Sequence, residues 1–184
     1  WRIAVNTYSQ SRELAGRPIQ WYEEPGLARG GYGTVLSLRF GRSSVVNSER
    51  RFFGWGIGDC CCFQVRGERT ISLFPFSAPD QFDNTPELLF SADSLSVLKE
   101  KRRGLAGRFL PNDTFFLMTD AIACWTLETI RDHGPPWNVF RSFSSEDSDG
   151  FSSWVDDEKA RGRLRDDDVS LVRVSFRDDE SQFS

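Results

Sequence analysis

The chain has 184 residues, 39% of them hydrophobic and 14% aromatic, with 16 Phe and 6 Trp. That apolar mass suits one domain with its own core and excludes whole-chain disorder. The formal net charge of −4 excludes a chain-wide basic footprint for nucleic acid, and no apolar run reaches the roughly 18 residues that a membrane helix requires.

In chain order, Trp1–Leu14 is mixed in character and predicts a helix, broken by Gly16 and Pro18. Residues Pro18–Pro25 form an aromatic, Pro-rich connection that includes Trp21 and Tyr22. Gly30, Gly31 and Gly33 follow, without a Gly-Lys-Ser/Thr ending or a clear preceding strand, so a phosphate loop is not indicated. Strands are predicted over Thr34–Phe40, Arg51–Ile57, Cys60–Arg66 and Thr70–Phe74. A polar loop, Gly41–Glu49, and tight turns at Gly58-Asp59 and Gly67-Glu68 separate them. Four short strands so connected predict an antiparallel meander.

Cys60, Cys61 and Cys62 are adjacent, and neighbouring strand residues point to opposite faces. That arrangement is not a disulfide framework, and no second Cys/His cluster completes a zinc pattern. With Cys124 they read as small buried hydrophobes in a reducing compartment. Alternation predicts unequal burial, the outer two against the middle one.

Pro75–Pro86 reads as a loop, Glu87–Leu98 is mixed, and Lys99–Arg103 is a basic run suited to a solvated face. Pro111-Asn112-Asp113 leads into an apolar strand, Thr114–Met118, which ends at Thr119-Asp120. Ala121–Arg131 carries Ile122, Trp125, Leu127 and Ile130 at helical spacing. Pro135–Phe151 reads as loop and short helix with an acidic, Ser-rich stretch at Ser144–Gly150. Phe151–Ala160 predicts a helix with Trp154 and Val155 turned inward. Asp166, Asp167 and Asp168 precede a last strand, Val169–Phe176, and a polar tail follows over 177–184. Strands, then helices, then a closing strand indicate an α+β fold in a single domain over 1–176.

Two acidic junctions stand out. Asp120 lies between an apolar strand and an apolar helix, and Asp166–Asp168 lie just before a strand. Carboxylates at strand ends suit hard divalent cations. The same residues have plainer readings, Asp120 as a helix N-cap and the triplet as a solvated turn.

The neighbourhoods of Trp125, Trp137 and Trp154 resemble bacterial members of the type-2C metal-dependent phosphatase family in particular, and four segments in order resemble the family as a whole. They are Gly31-Tyr-Gly-Thr34-Val-Leu-Ser-Leu38, Trp55-Gly-Ile-Gly58-Asp59-Cys60, Phe115-Phe-Leu-Met-Thr119-Asp120-Ala121 and Arg165-Asp166-Asp167-Asp168-Val169-Ser170-Leu171. The second resembles the family's "G-D-S" hairpin with Cys60 in place of Ser. The third resembles "T-D-G" with Ala121 in place of Gly, and the fourth resembles "D-D-x-T". The resemblance implies an antiparallel β-sandwich flanked by helix layers, in the order α-β-β-α. It implies two Mg²⁺ or Mn²⁺ ions activating water against a phosphoserine or phosphothreonine of a protein substrate. Asp120 and Asp167 would be metal ligands, and Asp59 would be structural. The family's "D-G-x-G-G" segment has no counterpart here. The expectation is therefore the C-terminal portion of such a domain, its N-terminal part missing, or a catalytically silent relative that binds a protein partner. Trp21, Tyr22 and Trp137 are then interface candidates, though core packing is the plainer role. A cytoplasmic setting is expected, since no signal peptide is visible, with no nucleic-acid or membrane partner.

Overall fold

The Phe-rich strands cannot bury their apolar faces singly, so they pair and stack. The computed structural model describes residues 2–41, 50–83, 85–144, 146 and 148–176. In order come α1 (Arg2–Leu14), α2 (Glu24–Arg29), β1 (Tyr32–Gly33), β2 (Val35–Phe40), β3 (Arg50–Ile57), β4 (Cys61–Arg66) and β5 (Arg69–Phe74). They are followed by β6 (Leu89–Phe90), α3 (Leu95–Lys101), β7 (Arg103–Phe109), β8 (Asp113–Met118), α4 (Asp120–Asp132), α5 (Trp137–Ser142), α6 (Ser148–Ala160) and β9 (Leu171–Ser175). The loop expected from Gly41 onward and the polar tail fall, over 42–49 and 177–184, outside the described residues. No described helix is long and apolar enough to cross a membrane.

The predicted meander divides in two. β2, β3 and β7 form one antiparallel sheet, and β5, β4, β8 and β9 form another. β3 and β4 do not pair, because the chain changes sheets at Gly58–Cys60. Phe52, Cys62, Phe74, Phe109 and Phe115 fill the space between the sheets. On the other side of the four-stranded sheet, Phe63, Val65, Phe116 and Met118 pack against Ile122, Leu127, Trp137, Phe140 and Val155 of the helices.

This layering settles the cysteines. Cys61 faces the helix core and Cys62 the inter-sheet core, so alternation sends them to opposite faces that are both buried. The expected contrast in burial fails for that reason, since β4 is covered on both sides. Cys60 precedes the strand and is half-buried, and all four cysteines are free.

Trp137 is fully buried and stacks on Phe116, ring centroids 5.4 Å apart, so it belongs to the core and offers no interface. Trp21 and Tyr22 are exposed, as are Phe53 and Trp55 on the outer face of the three-stranded sheet. No residue from Ile3 to Gly31 is buried.

Candidate functional site

Antiparallel register decides which loops share an end of the sandwich. Met118, the last residue of β8, lies opposite both Leu171, which opens β9, and Cys61, which opens β4. The residues just beyond these positions are Thr119-Asp120, Asp166–Asp168 and Gly58–Cys60. Each segment carries a carboxylate.

Thr119 fastens two of these loops together. Its N–H donates to the Ser170 carbonyl at 3.2 Å. Its hydroxyl accepts from the Ser170 N–H at 3.0 Å and donates to the Asp168 carbonyl at 3.1 Å. Thr119 holds the N-cap position of α4 but makes no side-chain capping bond, because its hydroxyl is engaged across the strands. Asp120 is therefore not the N-cap that one sequence reading allowed. It sits in the first turn, where the helix dipole favours a negative group.

The triplet is divided among three tasks. Lys159 of α6 lies 3.4 Å from the Asp166 carboxylate and donates to the Asp167 carbonyl at 2.7 Å. Asp168 lends its carbonyl to Thr119. The Asp167 carboxylate accepts from the Asp168 N–H at 2.7 Å and is exposed to solvent. Among the described residues, only Asp166 of the three pairs with a cationic side chain, and the carboxylates of Asp167 and Asp168 do not.

Asp59 is the residue that sequence reasoning undervalued by leaving it a hairpin role. It is only 8% exposed. Burial pushes its carboxyl up from the usual range, and the charges of Asp120, Asp167 and Asp83 push it further, against a hydrogen bond from its own backbone N–H. Asp59, Asp120 and Asp167 thus meet electrostatically at one end of the sandwich. The available signal was the Gly58-Asp59 turn, where Gly58 has φ +98° and a Cβ would come within 2.5 Å of Thr34 Cγ2. That packing holds the turn, and with it Asp59, against Thr34.

A buried carboxyl raised in this way costs stability when it ionises. The folded protein holds its proton to a higher pH than the unfolded chain does, so stability falls as pH rises through that interval. In metal-free buffer, Asp59→Asn is expected to be more stable than the parent at pH 7 and to match it near pH 3, about a unit below the ordinary carboxylate range. Urea unfolding at both pH values checks this. An Asn variant that is less stable at neutral pH would show that Asp59 is held by contacts of its own.

The donor type suits a hard divalent cation, but the donor number falls short. Among the described residues no three His, Cys, Asp or Glu side chains converge to hold a metal ion. Cys60 adds nothing, since burial pushes its thiol up and its sulfur sits 3.0 Å from the Thr34 hydroxyl. No protein-family model matches the chain, and no curated protein or solved structure matches it.

Proposed function

We propose that the chain contributes to a metal-dependent phosphoserine/phosphothreonine protein phosphatase of the type-2C class, with Asp120 and Asp167 as ligands to Mg²⁺ or Mn²⁺. The observation that carries this reading is the Thr119 clamp, which ties the loop of Asp120 to the loop of Asp167 through Ser170 and Asp168. Support also comes from the α+β architecture of two facing antiparallel sheets with helices packed on one of them. A second helix layer, over Phe53 and Trp55, belongs to the same proposal.

The Thr119 clamp ties together the loops that carry Asp120 and Asp167, and among the described residues no cationic side chain pairs with either carboxylate. Two carboxylates do not complete a hard-ion shell of about six oxygens, so no step of the hydrolysis is assigned through the ions. The shortfall favours one further reading, a silent relative that binds a partner through the same fold.

The test is Mn²⁺ binding followed by electron paramagnetic resonance, with and without phosphoserine. Weak binding is expected, strengthened several-fold by phosphoserine, because phosphate oxygens add to the shell. Asp120→Asn and Asp167→Asn should each abolish the strengthening. Turnover of a phosphoserine peptide should be slow and stop with EDTA. Robust metal-independent turnover would place the chemistry elsewhere. Mn²⁺ binding indifferent to phosphoserine would favour the silent relative.

A further inference from the structure

The buried face of Asp59 opens onto a cavity of about 360 Å³ that does not include Asp120 or Asp167. Its walls carry three carboxylates, Asp59, Asp83 and Glu87, and a single cation, Arg103. Asp59 is more than nine-tenths buried, and among the described residues the only hydrogen bond to its carboxyl comes from its own backbone N–H. A carboxylate so placed, without a partner from another residue, leaves a charge that the protein itself does not answer.

Arg103 does not answer it. Its guanidinium sits 5.7 Å from the centroid of the Phe76 ring, another wall of the cavity, and the ion pairs seen among the described residues include none between it and the three carboxylates. The carboxylates are also too dispersed to share a metal ion, since no three ligating groups converge among the described residues. A spread of acceptors around a cavity of this size suits a larger cation with several donors in a plane, which describes a guanidinium better than an ammonium or a metal ion.

We infer that this cavity receives an arginine side chain of the protein substrate, close to the phosphorylated residue; this rests on the phosphatase reading above. Arginine near the phosphoresidue would then be a specificity determinant, read by Asp59, Asp83 and Glu87. Asp83 and Glu87 are exposed, so replacing them leaves the core intact. The Asp83 carboxylate also accepts the Thr85 N–H at 2.9 Å, a bond that Asn can keep.

The probe is N-acetyl-arginine methylamide, titrated at low salt while the backbone amides are followed by NMR. Saturable shifts at Gly58, Thr85 and Glu87 are expected, and the neutral citrulline counterpart should leave them unmoved. The double variant Asp83→Asn/Glu87→Gln should weaken arginine binding about tenfold, close to 1.4 kcal/mol. A second arm compares a phosphoserine peptide with arginine two residues away and its citrulline twin, both with Mn²⁺ present. The arginine peptide should bind several-fold more tightly. Absent amide shifts, equal shifts from citrulline, an unweakened double variant or equal binding of the two peptides would each overturn the inference. If phosphoserine fails to strengthen Mn²⁺ binding while the arginine shifts persist, the phosphatase reading falls and the cation pocket stands.

Discussion

Phe115→Ala is expected to lose about 3–5 kcal/mol of unfolding free energy, the usual cost of emptying a buried aromatic site. Phe115 is fully buried between the two sheets. Its ring lies 4.9 Å from those of Phe40 and Phe52, 5.8 Å from Phe109 and 6.1 Å from Phe176. All four of these contacts are edge-on, the geometry that the ring quadrupole favours. Rings held on opposing sheets collapse poorly into a void, because each is fixed by its own strand. Urea denaturation checks the value, with Phe53→Ala as control. Phe53 is 54% exposed, so its loss should stay within about 1 kcal/mol. Equal losses for the two variants would mean that the inter-sheet cluster does not hold the sandwich together.

Asp113→Ala should cost about 3 kcal/mol, the low end for breaking a buried ion pair by removing one partner. The Asp113 side chain is fully buried at the opening of β8. It accepts from Arg66 Nε at 2.6 Å and Nη2 at 3.0 Å, from Gln64 Nε2 at 2.8 Å and from the Leu110 N–H at 3.0 Å. The Arg66 side chain is 42% exposed and can turn to water, which keeps the loss from being larger. Gln64 would lose one acceptor but keep the Arg108 carbonyl.

Burial alone would raise the Asp113 carboxyl, but Arg66, the Leu110 N–H and Gln64 outweigh it and hold it below the usual range. A lowered folded value gives stability that is present above the unfolded pKa of roughly 3.9 and is lost as pH falls through the folded one. Acid unfolding from pH 5 to pH 2, the span about that unfolded value, should therefore be flatter in Asp113→Ala than in the parent. An identical acid profile would show that Asp113 does not supply this pH dependence.

Both residues illustrate what a linear reading misses. Asp113 appeared as one letter of a Pro-Asn-Asp turn, because Arg66 and Gln64 lie on a different strand and only the β4–β8 register delivers them. β7 went unpredicted because Gly104, Ala106 and Gly107 have low strand propensity. It forms since pairing with β3 satisfies its backbone. Gly107 suits the place, as a Cβ there would meet the Phe52 ring at 2.7 Å. α2 was hidden in the same way by Pro25 and Gly26, the proline falling at the start of the helix where its missing N–H is not required.

Local pattern alone determined the α+β class, the strands at β2, β3, β4, β5, β8 and β9, and the helix that Asp120 opens. These depend on side-chain periodicity and turn residues within a few positions. Tertiary structure alone decided that the four early strands belong to two sheets and that Cys61 and Cys62 are both buried. It also decided that Asp166 pairs with Lys159, whereas Asp167 and Asp168 pair with no cationic side chain among the described residues. The burial of Asp59, and the cavity it shares with Asp83 and Glu87, arise where a sheet-changing turn meets a loop more than twenty residues further on. No window of sequence contains that meeting, because register and layer packing, unlike periodicity, are properties of segments far apart in the chain.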